Sequence, residues 1–80
     1  MSFSFFKSQE EVDQYVAETE ELAENTFDEE TALELYKRIY LLRTVEEIYF
    51  VPDIVLSWEE MALSMISEKV FLKLVYKEVS

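Results

Sequence analysis

The chain holds no glycine in eighty residues. Glycine supplies the positive-φ conformations favoured in two-residue hairpins, so tight turns here would have to use Asn or Asp instead. The one proline, Pro52, is the other strong punctuation mark. Both features push the sequence toward helices. Eighty residues form one domain, 1–80, near the size at which a single core is barely sufficient and disulfides, metals or oligomerisation often help. Neither of the first two aids is expected, because the chain lacks Cys and His altogether.

Three helices can be placed from caps and period. Ser8-Gln9-Glu10-Glu11 has capping-box spacing, and its carboxylates suit the positive end of a helix dipole. From there Val12, Tyr15, Val16, Thr19, Leu22 and Ala23 share one stripe, acids fill the remaining circumference, and Asn25 and Thr26 end the helix. A second helix starts near Thr26 or Asp28, with Ala32, Leu35, Tyr36, Ile39 and Leu42 as its stripe. Leu41, Val45, Ile48 and Tyr49 then fall nearly opposite. This helix is therefore buried on two faces or broken near Arg43, where Thr44-Val45-Glu46-Glu47 could serve as another capping box. A third helix is expected from Ile54 to Val79, with Ile54, Trp58, Met61, Met65, Leu72, Val75 and Val79 at heptad-like positions. Its reverse side is also apolar through Leu56, Leu63, Val70 and Leu74, as for a helix central to a bundle or covered by another chain.

The expected fold is thus all-α, a small three-helix bundle whose second helix is either buried on two faces or kinked near Arg43. The competing arrangement is α+β, with short strands at Ser2–Phe6 and Val70–Tyr76, both rich in aromatic or β-branched residues.

Residue inventory argues against an enzyme. General acid–base work at neutral pH most often uses His, nucleophilic catalysis needs Ser, Cys or Lys beside a base, and phosphate cradles need glycine. Adjacent carboxylates such as Glu10 and Glu11, or Glu59 and Glu60, diverge by about 100° on a helix and so do not form an acid/base dyad. Neither a catalytic residue, a cofactor nor a metal site is expected. The glycine of an EF-hand loop has no counterpart here.

Charge is the strongest functional signal. Between Lys7 and Lys37 lie 29 residues with eleven acids and no base, so the net charge of −11 arises in about a third of the chain. Such a field repels nucleic acid and anionic membrane and attracts basic protein surfaces. The plain reading is a solvated, solubilising exterior. A sharper reading places Asp13, Glu20 and Glu24 on one stripe, widened by Glu10 and Glu21 and continued by Asp28, Glu29 and Glu30. Glu20 and Glu24 would stand about 6 Å apart along the axis, a row resembling the phosphates that nucleic-acid-binding proteins neutralise with Lys and Arg.

The function expected from this row is that of a small non-enzymatic inhibitor or adaptor, such as a virus-encoded nucleic-acid mimic. Its acidic helical face would cover a basic, nucleic-acid-binding surface on a larger protein. The alternative is a structural helical assembly subunit, in which an apolar interface of Tyr40, Tyr49, Trp58, Met61 and Met65 carries the function. A homodimer through the second and third helices is expected, with no direct nucleic acid and no membrane partner. No secretory signal or membrane-length apolar run is read from the sequence, which suggests a cytoplasmic protein.

Overall fold

The structure, a computed structural model, describes residues 5–70, 72 and 73. It is an all-α three-helix bundle of α1 (Gln9–Glu24), α2 (Glu29–Thr44) and α3 (Ile54–Met65). The helices run up, down and up. Helix α2 is central, meeting α3 extensively and α1 less so, while α1 and α3 scarcely touch. Among the described residues there is no strand. Residues 70, 72 and 73 are helical, and the remaining parts of the two sequence-predicted strands, residues 2–4, 71 and 74–76, lie outside the described set.

The absence of glycine is visible at every helix end. No described residue has positive φ, so no helix closes with a left-handed C-cap. Backbone N–H groups of the next residues and nearby side chains share the last carbonyls instead, as Asn25 N–H does at Leu22 O and Val45 N–H at Leu42 O. Asn25 Nδ2 donates to Glu21 O and Thr26 Oγ1 to Leu22 O at the end of α1. Thr44 Oγ1 does the same for Leu41 O.

The N-termini follow their sequence signals with one variation. Ser8 is extended and its Oγ accepts from Glu11 N–H at 3.3 Å. Glu11 reaches back past the cap to accept from Lys7 N–H. At α2 the capping box is complete, with Thr31 N–H donating to Asp28 Oδ1 at 2.9 Å and Asp28 N–H to Thr31 Oγ1.

The core is one cluster. Val12 and Ala23 come from α1, Ala32, Leu35, Ile39 and Leu42 from α2, Val55, Trp58 and Ala62 from α3, joined by Phe6, Val45 and Ile66. Both predicted stripes of α1 and α2 therefore face inward. The change of face past Arg43 is a break: α2 ends at Thr44, and Val45–Ile48 form a turn in which Val45 O accepts from Ile48 and Tyr49 N–H. Thr44 caps the outgoing helix and starts no new one.

Two expectations for the third helix are corrected. It does not run on unbroken from Ile54. Ile66 is extended at φ −97° and ψ 129°, Ser67 N–H donates to Glu29 Oε2 at 2.7 Å, and Ser67 Oγ accepts from Val70 N–H as helical backbone resumes at Glu68. The helix ends at the extended Ile66, and Ser67, held by a carboxylate from α2, caps the helical segment that follows. Its buried stripe is also different, formed by Val55, Trp58, Ala62 and Ile66, so that Ile54 is 49 % exposed while Val55 is 1 % exposed. With apolar residues on both flanks, heptad spacing around Trp58 could not choose between them.

Candidate functional site

On α1, the inward stripe leaves the opposite side to solvent. At 3.6 residues per turn, Glu20, Asp13, Glu24, Glu10 and Glu21 fall in that order within an arc of about 100°, and all five are exposed. No ion pair engages any of them among the described residues, where the bridges are Arg38–Glu18, Arg43–Glu46 and Arg43–Glu59. Asp13 has a local duty: it accepts from Gln9 Nε2 at 2.9 Å, and the Gln9 amide exchanges two further hydrogen bonds with the Phe50 backbone. One end of the acidic row is thereby tied to the α2–α3 connection.

The rest of the predicted acidic surface divides by role. Glu30 is exposed. Asp28 is the α2 cap, and hydrogen bonds from the Thr31 backbone and then its side chain hold its carboxyl below the ordinary 3.8. Glu29 is half-buried and receives Ser67 N–H. Asp28 and Glu29 thus stabilise helix ends as well as contributing negative charge. Between the helices, Phe27 stands 81 % exposed in the acidic connection.

The residues predicted as an apolar interface are mostly turned inward. Trp58 is 8 % exposed, Met61 and Met65 pack on the core, and the half-buried Tyr49 donates from Oη to Phe6 O at 3.1 Å. Tyr40 alone of the five is exposed. The apolar side chains that α3 does offer to solvent are Leu56 and Leu63, seven residues apart and so on one line of the helix, together with Ile54.

Sequence reasoning missed Arg38. Its Nε donates to Thr19 Oγ1 at 2.9 Å and its Nη2 to Tyr15 O and Glu18 Oε1, while the guanidinium carbon lies 3.9 Å from the centre of the Tyr15 ring. Thr19 is fully buried, and its hydroxyl also donates to Tyr15 O. Burial raises the Tyr15 phenol, against a lowering by Arg38 and with a smaller rise from Glu18. Nothing local marks it: Arg38 follows Lys37 just past the acidic stretch, and its partners lie 19 to 23 residues away.

Among the described residues no group of His, Cys, Asp or Glu is arranged to hold a metal ion, and no helix is long and apolar enough to cross a membrane. Comparisons with protein-family models, curated proteins and solved structures find no match to this chain.

Proposed function

We propose that the protein is a small non-enzymatic inhibitor or adaptor whose acidic α1 face occupies a basic, nucleic-acid-binding surface of a larger protein. The carrying observation is the exposed row of Glu10, Asp13, Glu20, Glu21 and Glu24 without an ion pair among the described residues. A carboxylate row fixed on a helix attracts Lys and Arg that would otherwise meet phosphates, and long-range attraction speeds encounter with such a surface. The partner is a protein of opposite charge in the cytoplasm, that of a host cell if the chain is viral.

Affinity capture from nuclease-treated lysate, eluted with stepped salt, tests the idea. A basic nucleic-acid-handling protein should leave between roughly 0.2 and 1 M salt, since screening shortens the reach of exposed charges over that range. Charge reversal of Asp13, Glu20 and Glu24 should abolish its capture without changing far-UV dichroism. Undiminished capture by that variant would dismiss the acidic face.

A second reading rests on Leu56 and Leu63, 46 % and 38 % exposed on one line of α3. A homodimer or larger assembly through this line would remove them from water. Sedimentation would then show concentration-dependent mass, lost on Leu63→Lys; a monomer at every concentration disposes of it.

A further inference from the structure

Two shallow depressions follow the seam between α1 and α2 and share Glu18. Their linings differ in charge. The one nearer the α1–α2 connection joins Glu18 and Glu34 to Lys37 and Arg38, so acids and bases balance. The other, of about 340 Å³, is walled by Phe5, Phe6, Tyr15 and Leu41 and edged by Glu11, Gln14 and Glu18, with no base in its lining. Its volume falls at the lower end of the roughly 300–1,000 Å³ of ligand clefts.

This notch is preformed. Phe6 and Tyr15 meet edge to face with ring centres 5.1 Å apart, and Arg38 covers the Tyr15 ring from the neighbouring depression. Phe6 is buried, and its carbonyl is held by Tyr49 Oη. Phe5, next along the chain, is 76 % exposed at the lip. An aromatic side chain left in water beside an apolar hollow has area to lose on contact with another apolar group. Glu11 and Glu18 are both exposed and stand two helical turns apart, about 10 Å along the axis; Glu11 Oε1 accepts Lys7 N–H and Glu18 Oε1 an Arg38 N–H at 3.4 Å, so an incoming cation adds to these contacts at exposed carboxylates. The hollow thus pairs apolar walls with negative edges, the complement of an apolar side chain between cations.

We propose that the notch between Phe5 and Leu41 docks a basic amphipathic peptide segment of a partner protein. An apolar side chain of that segment rests against Phe6, Tyr15 and Leu41, and flanking Lys or Arg side chains pair with Glu11 and Glu18. Cations that flank an apolar residue on one face are four residues apart in an extended segment, about 13 Å, and seven apart, about 10 Å, in a helical one. The notch lies about 120° around α1 from the centre of the acidic row and uses none of Asp13, Glu20 or Glu24. It therefore neither rests on the inhibitor reading nor falls with it.

The test is a nuclear magnetic resonance titration of the full ¹⁵N-labelled chain with synthetic 12-residue peptides. Each carries one Leu, Phe or Trp midway between Lys residues placed four or seven apart. Matched controls replace the apolar residue with Ser. Saturable amide shifts centred on Phe5, Glu11, Tyr15, Glu18 and Leu41 are expected with at least one peptide. Its affinity should fall about tenfold with the Ser control or with Phe5→Ser, as for loss of an interface anchor. Glu11→Gln with Glu18→Gln should weaken binding several-fold and flatten its salt dependence, whereas Asp13→Asn with Glu20→Gln and Glu24→Gln should leave it unchanged. Because Phe5 is a surface residue, its substitution leaves the fold intact. The proposal is overturned if no peptide saturates, if shifts spread over Glu20, Glu24 and Glu30 regardless of the apolar residue, or if Phe5→Ser binds as tightly as the parent.

Discussion

The two seams of α2 are built in opposite ways. Against α3 the contact is extensive and apolar, through Val55, Trp58, Ala62 and Ile66, with polar links at its margins where Arg43 bridges Glu59 at 3.0 Å and Glu29 takes Ser67 N–H. Against α1 the contact is smaller, and the fully buried side chains that α1 supplies are only Val12 and Thr19. There a polar clip of Arg38, Thr19 and Tyr15 supplements the apolar contact, and no buried side-chain polar atom among the described residues lacks a partner. An acid-rich helix has few large apolar side chains with which to dock. One arginine, engaging a hydroxyl, a carbonyl, a ring and a carboxylate together, offsets that deficit and leaves the outer acids free to face water.

If the seams differ in this way, their substitutions should fail differently. The largest loss is expected from Trp58→Ala, about 3–5 kcal/mol by chemical denaturation, because it opens a cavity in the apolar seam and so undoes the whole fold. Unfolding of α1 alone in this variant would reverse the comparison. Next, Arg38→Met should cost about 1–3 kcal/mol, since the hydrogen bonds and ring contact go while an apolar stem remains. Native-state hydrogen exchange should show α1 amides losing protection first, with α2 and α3 amides retained to a higher opening energy. Equal loss in all three helices would mean that the clip does not govern the α1 seam separately.

Smaller effects sharpen the contrast at the helix ends. The cap at Asp28 depends on its charge. Its folded-state carboxyl lies below the ordinary 3.8, so its contribution is fully present above that value and disappears as pH falls below it toward the depressed folded value. The stability gap between the parent and Asp28→Ala should therefore narrow in that window, and a gap independent of pH would assign the effect to the loss of the neutral hydrogen bonds. The least effect is expected at the margin of the α3 seam. Arg43→Gln breaks bridges whose arginine is 40 % exposed, and a change within about 1 kcal/mol at moderate salt is expected. A larger loss would show that the margin, and not only the apolar interior, holds α3.

Much of the local architecture was legible in the residues. Ser8 and Asp28 mark their helix starts because a short oxygen-bearing side chain meets N–H groups within one turn, and the α1 and α2 stripes were readable because polar residues flank them. The change of face past Leu42 left a two-faced helix and a break as alternatives, and the structure has the break after Thr44. Less was readable where alternatives matched locally. Helix α3 has apolar residues on two flanks, so its buried face and the inward placement of Trp58, Met61 and Met65 could not be read from spacing. The Arg38 clip and the Gln9–Phe50 link join residues 19 to 41 positions apart, and no local pattern announces them.

By itself the sequence determined the helical class, the helix starts at Ser8 and Asp28, the end of α1 at Asn25 and Thr26, and the concentration of negative charge on the first helix. These follow from interactions within a turn or two of chain. Only the tertiary structure decided that α2 is central, that α3 ends at the extended Ile66, and that the aromatic and methionine side chains chosen as an interface serve mostly as core. Those outcomes depend on which distant surfaces meet, and burial rewards the pair that fits rather than the residue alone.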